Sequence, residues 1–171
     1  MSMPCHKDRG GYVLREPCIE DGLHIHRLVE RSKSMDLNSL YSYLLLADHF
    51  HETCVVAQNN GALIGFISAY VHPGKKNTLF VWQVVVDEQE RRKGIARKML
   101  ENLVMRVNLK TISYLETTIN PSNQSSRFLF ESFAKNLHAP CTTSLLFSSD
   151  LFGDTHHESE MMYRIGPFHA Q

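Results

Sequence analysis

Residues 91–98 read RRKGIARK: Arg91, Arg92, Lys93, Arg97 and Lys98 surround one glycine, Gly94, shortly after the apolar run LFVWQVVV and just before an amphipathic stretch. A helix opens with backbone N–H groups that have no partner inside the helix, and its dipole leaves that end partly positive. Glycine at 94, with the small Ala96 behind it, lets an anion approach the backbone of Gly94, Ile95, Ala96 and Arg97, and the cations add charge-assisted hydrogen bonds. The anion that fits such a strand, turn and helix is a pyrophosphate on residues 92–97. A ligand anchored there lays its remaining length beside Val84, Val85 and Val86, where backbone groups can pair with an amide-bearing arm such as the pantetheine of coenzyme A. The competing explanation, a solvated basic turn with a chance glycine, accounts for the charge run but not for the strand that feeds it.

The rest of the chain has to position that turn. Residues 1–10 are polar and read as a flexible N-terminus, and 11–171 as one domain. YVLRE predicts a first strand, the segment from Ile19 a helix with acids early and bases late, and LYSYLLLADHF a second helix capped by Asn38 or Ser39. TCVVAQ and ALIGFISAYV flank an Asn-Gly turn and predict a hairpin. TLFVWQVVV follows as a strand, then a helix from about Gly94 to Arg106, the strand ISYLETTI, a helix from SNQSS, and strands around TTSLLF and MMYRIG. This order predicts an α/β domain, its mixed and mostly antiparallel central sheet flanked by about four helices.

Composition narrows the partners. With 18 basic and 18 acidic residues the formal net charge is +0, which argues against nucleic-acid binding through phosphate neutralisation. No apolar run reaches the ~20 residues needed to cross a bilayer, so no membrane partner is expected. Cys5, Cys18, Cys54 and Cys141 are scattered without a CxxC pair, and read as reduced thiols of a cytoplasmic protein. The pair His156-His157 with Glu158 lacks a further ligand at metal spacing, so no metal is expected; the polar stretch 148–160 reads as a substrate-closing loop instead.

VVVDEQERRKGIARKML resembles the acyl-CoA motif of the GNAT acetyltransferase superfamily, (Arg or Gln)-x-x-Gly-x-(Gly or Ala), with Arg91, Gly94 and Ala96 at the matching places. TINPSNQSSRFLF resembles that superfamily's later motif, with Asn123 and Ser126 matching beside the cofactor's thiol end; Phe130 stands where many members place the tyrosine that protonates the departing thiolate. A narrower resemblance, over residues 12–168, is to the family of acetyltransferases acting on L-2,4-diaminobutyrate in ectoine synthesis, through MDLNSLYSYLLLADHF, TLFVWQVVVD, ETTINPSNQSSR and RIGPF. It implies a GNAT-like fold, acetyl-CoA as co-substrate, transfer to the γ-amino group by direct attack in a ternary complex, and a homodimer. Another diamine, a polyamine or a protein amine as acceptor, or a non-catalytic acyl-CoA-binding module, are the alternatives.

Given that chemistry, a base must take a proton from the ammonium and a donor must meet the carbonyl oxygen. The resemblance places a backbone N–H near Val84–Val86 at the oxygen. Glu116 is the candidate base, as the acid within ISYLETTI, against an outward-facing strand residue or a water relay. Asp36 can meet the α-ammonium or merely serve the helix start, Tyr41 or Tyr43 can reach the site, and Trp82 can offer its ring to a cation or pack in the core. His157 joins them through the loop. Asn123 and Arg127 can hold cofactor or carboxylate, though a helix start also explains Asn123.

Overall fold

The computed structural model describes residues 11–32, 36–106, 111–153 and 156–168; the N-terminal segment 1–10 and Cys5 lie outside the described residues. Contacts divide them into two compact units, 11–70 with 83–106 and 71–82 with 111–168. Among the described residues the strands are β1 (Val13–Arg15), β2 (Val55–Asn59), β3 (Ala62–Val71), β4 (Thr78–Val86), β5 (Tyr114–Ile119), β6 (Cys141–Phe147) and β7 (Glu160–Ile165), in the order β1-β2-β3-β4-β5-β7-β6. The α-helices are α1 (Gly22–Ser32), α2 (Leu40–His49), α3 (Ile95–Val104) and α4 (Gln124–Asn136). The α/β reading with a mostly antiparallel sheet and four helices therefore holds.

In the first unit, β2 pairs antiparallel with both β1 and β3, α1 and α2 lying between β1 and β2 in the chain. The β2–β3 hairpin turns at Asn60 and Gly61, both with positive φ, as the Asn-Gly pair predicts. α1 buries Ile25, Leu28, Val29 and Ser32, a stripe at helical spacing, and the first three join Tyr43, Leu46, Cys54, Val56, Leu63, Phe66 and Val85 in one core. α3 buries Ile95, Met99, Leu100, Leu103 and Val104. Gly65 on β3 makes room for that helix, since a Cβ there would stand 2.9 Å from the Met99 methyl.

In the second unit β5 pairs in parallel with Thr78–Val81 of β4 and antiparallel with β7. Its core includes Leu79, Val81, Leu115, Ile119 and Ile165, with Phe130, Phe133 and Ala134 from α4. β7 inserts between β5 and β6, which leaves β6 at the sheet edge with Thr142–Phe147 exposed.

Two boundaries differ from the sequence reading. Ile19–Asp21 is a 3-10 turn before α1, and the third helix is shorter than expected, because Gly94 is its N-cap and Met105 its C-cap.

Candidate active site

The basic turn is built around Gly94. Its φ of 77° and ψ of 8° lie in the left-handed region, where a side chain is strained, and no atom lies within 4 Å of where a Cβ would stand. Glycine thus answers two demands, backbone sign and open approach. The Gly94 carbonyl accepts the first helical bond, from Lys98 N–H at 3.0 Å. The N–H groups of Ile95, Ala96 and Arg97 precede that bond, and no side chain caps them.

The cations around the turn are not equivalent. Arg91 folds back, donating to the Val86 carbonyl at 3.2 Å and the Ser32 carbonyl at 3.4 Å, and so fastens the end of β4. Lys93 pairs with Glu90 at 2.9 Å and Arg97 with Glu101 at 3.2 Å, while Arg92 carries a left-handed φ of 63°. Such exposed pairs contribute about 0–1 kcal/mol, so an incoming polyanion can displace the acids at little cost.

Val85 is buried in the core, whereas Val84 and Val86 are half-buried. Trp82 is 45% exposed, so core packing does not account for its whole ring. Gln83, absent from the sequence reading, is 3% exposed; its N–H donates to Ser68 Oγ at 3.2 Å and its Nε2 to the Asp36 carbonyl at 3.0 Å. A glutamine inside an apolar strand run was the available signal.

Asp36 itself is exposed on the segment leading to α2, where Ser39 caps the helix by accepting from Ser42 N–H. The two tyrosines separate as their spacing demands. Tyr43 is fully buried, edge-on to His26 and Phe66, and its hydroxyl accepts from Asn38 N–H at 3.3 Å; Tyr41 is 68% exposed.

Glu116 is buried at the centre of β5 and held by two cations that the sequence did not single out. Lys75 Nζ donates to both carboxylate oxygens, at 2.9 and 3.2 Å, and Arg164 of β7 donates to Oε1. The Arg164 guanidinium also lies 3.8 Å over the Tyr114 ring. Burial alone would push the Glu116 carboxyl up, but hydrogen bonds and charge from Lys75 and Arg164 outweigh it and hold the group below the usual carboxylate range. Glu116 is therefore an ionised, weakly basic anion at neutral pH.

At the start of α4, Asn123 Oδ1 accepts from Ser126 N–H at 3.1 Å, an N-cap. Arg127 lies 3.9 Å from Glu131, and Phe130 is 2% exposed, a core residue with no proton to give. The 156–160 segment braces this corner. Glu158 accepts from the N–H and hydroxyl of Ser122, Asn120 donates to Glu160 at 3.1 Å, and His157, stacked 3.9 Å on Phe152, donates from Nδ1 to the Glu158 carbonyl. Among the described residues no group of three His, Cys, Asp or Glu side chains converges to hold a metal ion.

A strand ending in an open left-handed glycine cap, on this strand order, defines a class: residues 23–134 match the acetyltransferase (GNAT) family, and the chain belongs to it. It belongs, more narrowly, to the L-2,4-diaminobutyric acid acetyltransferases. It is 45% identical over 156 residues to the enzyme of Marinococcus halophilus, covering 91% of this chain and 90% of that one. To the enzyme of Halalkalibacterium halodurans it is 42% identical over 157 residues, covering 92% of this chain and 82% of that one. The solved structure of diaminobutyrate acetyltransferase EctA from Paenibacillus lautus, in complex with L-2,4-diaminobutyric acid and coenzyme A, is similar with a TM-score of 0.89 and 41% identity, covering 92% of this chain and 95% of that one.

The Glu116 cluster has a pH signature. A carboxyl held low in the folded state contributes stability that is complete above the ordinary carboxylate range and fades as pH falls through the folded value. Glu116→Gln should lower stability at neutral pH by about 1–3 kcal/mol, with the gap to the parent holding down to about pH 4 and shrinking as pH falls below it, in urea titrations. A gap that does not change with pH would show that the ion pairs contribute nothing.

Proposed function

We propose that this protein transfers the acetyl group of acetyl-CoA to the γ-amino group of L-2,4-diaminobutyrate, giving N-γ-acetyldiaminobutyrate for ectoine synthesis, by direct attack in a ternary complex. The observation that carries the reading is similarity over nearly the whole chain to a structure holding that diamino acid and coenzyme A, joined to the open Gly94 turn on this chain's own backbone.

The pyrophosphate is assigned to the N–H groups of Gly94, Ile95, Ala96 and Arg97, with Arg92 and Lys93 adding charge and Arg91 holding the turn in place. Val84, Val85 and Val86 offer backbone groups to the pantetheine amides and an N–H to the thioester carbonyl oxygen. Asn123 and Ser126 serve the thiol end through the α4 start. The neutral γ-amine attacks the carbonyl carbon, the C–S bond breaks, and the thiolate takes up a proton. Glu116 is assigned to the proton path: Lys75 and Arg164 on its carboxylate weaken it as a base, so the proton of the ammonium leaves through water. Asp36, Tyr41, Trp82 and His157 are assigned to the acceptor, with Trp82 supplying a ring face for a cation.

A cytoplasmic location is part of this proposal; among the described residues no helix is long and apolar enough to cross a membrane. A homodimer is assigned to the β6 edge. Leu145, Leu146 and Phe147 there are 57%, 39% and 46% exposed, and a second copy would cover both their apolar surface and the unpaired backbone. Light scattering should give twice the 19.6 kDa chain mass; a monomer at micromolar concentration would remove this assignment.

Thiol release from acetyl-CoA should be faster with L-2,4-diaminobutyrate than with ornithine, lysine, putrescine or peptides, and NMR should place the acetyl group on Nγ. Preference for another amine would displace the diamino acid. Gly94→Glu should weaken acetyl-CoA binding by about tenfold or more, through repulsion and blocked approach, while the fold persists because the turn is open. Unchanged affinity by calorimetry would mean that the phosphates bind elsewhere.

A further inference from the structure

Gln83 is the one described residue with a buried side-chain polar atom, Oε1, that has no hydrogen-bond partner. Buried amides ordinarily satisfy both ends, so an orphaned acceptor on a side chain 3% exposed calls for a donor from outside the chain. The amide cannot be turned round to remove the problem. Nε2 faces the Asp36 carbonyl at 3.0 Å, and a flip would set two acceptors against each other. The surroundings are otherwise paired: the Gln83 N–H is on Ser68 Oγ, and Tyr43 holds the same segment by accepting from Asn38 N–H. Two buried side chains thus pin residues 36–38, and one of them keeps an acceptor in reserve.

We propose that Gln83 is a specificity-determining residue for the acceptor, its Oε1 accepting an N–H of the substrate's α-ammonium; this rests on the proposed reaction. A diamino acid carries two nitrogens with opposite requirements. The γ-nitrogen must lose a proton and keep its lone pair for attack, so it gains nothing from permanent donation. The α-nitrogen stays an ammonium throughout and always presents three N–H donors. Asp36, exposed beside the amide's anchor, brings a negative charge to the same segment, and the neutral amide oxygen adds direction. The pantetheine amides already have backbone partners in the reading above, which leaves the acceptor substrate as the donor.

The test pairs two ligands with two variants. 4-Aminobutyrate keeps the amine and carboxylate of L-2,4-diaminobutyrate but lacks its α-ammonium, and its inhibition constant against the diamino acid measures binding without that group. Gln83→Met removes donor and acceptor; it should lower kcat/KM for L-2,4-diaminobutyrate by about tenfold to hundredfold, through KM, and leave the 4-aminobutyrate constant within about twofold. Gln83→Glu keeps an acceptor and adds charge but loses the donor to the Asp36 carbonyl, so both ligands should bind more weakly while the preference for the diamino acid over 4-aminobutyrate rises. Equal losses on both ligands, or no loss on either, would overturn the proposal, as would a selective loss that vanishes in an Asp36→Asn background, since that would reduce Gln83 to a brace for Asp36. If Gln83→Met does not fold, Gln83→Glu decides alone: a raised preference supports the proposal and an unchanged or lowered one overturns it. A parent protein inactive on L-2,4-diaminobutyrate would sink the reaction itself, whereas an active parent with unmoved selectivity would sink only the role of Gln83.

Discussion

β4 has to be a core strand and a ligand strand at once, and most other features follow from that constraint. Alternation along the strand sets Leu79, Val81, Gln83 and Val85 on the buried side, Gln83 the one polar side chain among them, while Trp82 is exposed and Val84 and Val86 are half-buried. The strand then needs a rigid end. Asp87 N–H donates to the Ile64 carbonyl at 2.9 Å, the Asp87 side chain accepts from Gln89 N–H at 3.1 Å, and Arg91 returns to the Val86 carbonyl. Only after these fastenings does the chain reach Gly94, so the open helix start is delivered by a braced segment. Arg91, the residue that the motif would offer to a phosphate, is used here to hold backbone.

A chain of zero formal net charge meets charged ligands by local arrangement, and the cost of burying charge decides how. An isolated carboxylate at the exposure of Glu116 would be strongly disfavoured, so Lys75 and Arg164 converge on it and Tyr114 supports the guanidinium. The first unit solves the same problem in the same way: Arg15 grips Asp21 with both terminal guanidinium nitrogens, at 2.6 and 2.9 Å. The difference is location. Arg15 and Asp21 close a turn, whereas the Lys75–Glu116–Arg164 group combines a strand-centre anion with cations that are 46% and 32% exposed in their side chains.

The elements were legible because each is punctuated locally. Asn60-Gly61 fixes the hairpin, Ser39 starts α2, Gly94 starts α3 and Asn123 starts α4, each through chemistry within three residues of the boundary. Long-range placement was not legible. Nothing in TTSLLF or MMYRIG says that β7 lies between β5 and β6, since order in a sheet depends on pairing between segments far apart. The partners of Glu116 sit 41 and 48 residues away, one in the loop HPGKKN and one on another strand. Alternation assigned Glu116 no face, and composition alone could not divide Tyr41, exposed, from Tyr43, buried.

The corner at the start of α4 shows why motif residues resist a single role. Asn123 matches a cofactor motif, and its side chain closes the first turn of the helix, so loss of the amide would remove a cap as well as any ligand contact. Glu158 reaches the preceding turn from the loop 148–160 through both polar groups of Ser122, and its carboxyl is held low chiefly by the Ser122 side-chain hydrogen bond. His157 donates through Nδ1 to the Glu158 carbonyl, and its Nε2 lies 3.8 Å from Glu160 Oε1. The segment expected to close over a substrate is thus also a brace, and the geometry of the α4 start depends on polar groups that arrive from 36 residues later in the chain.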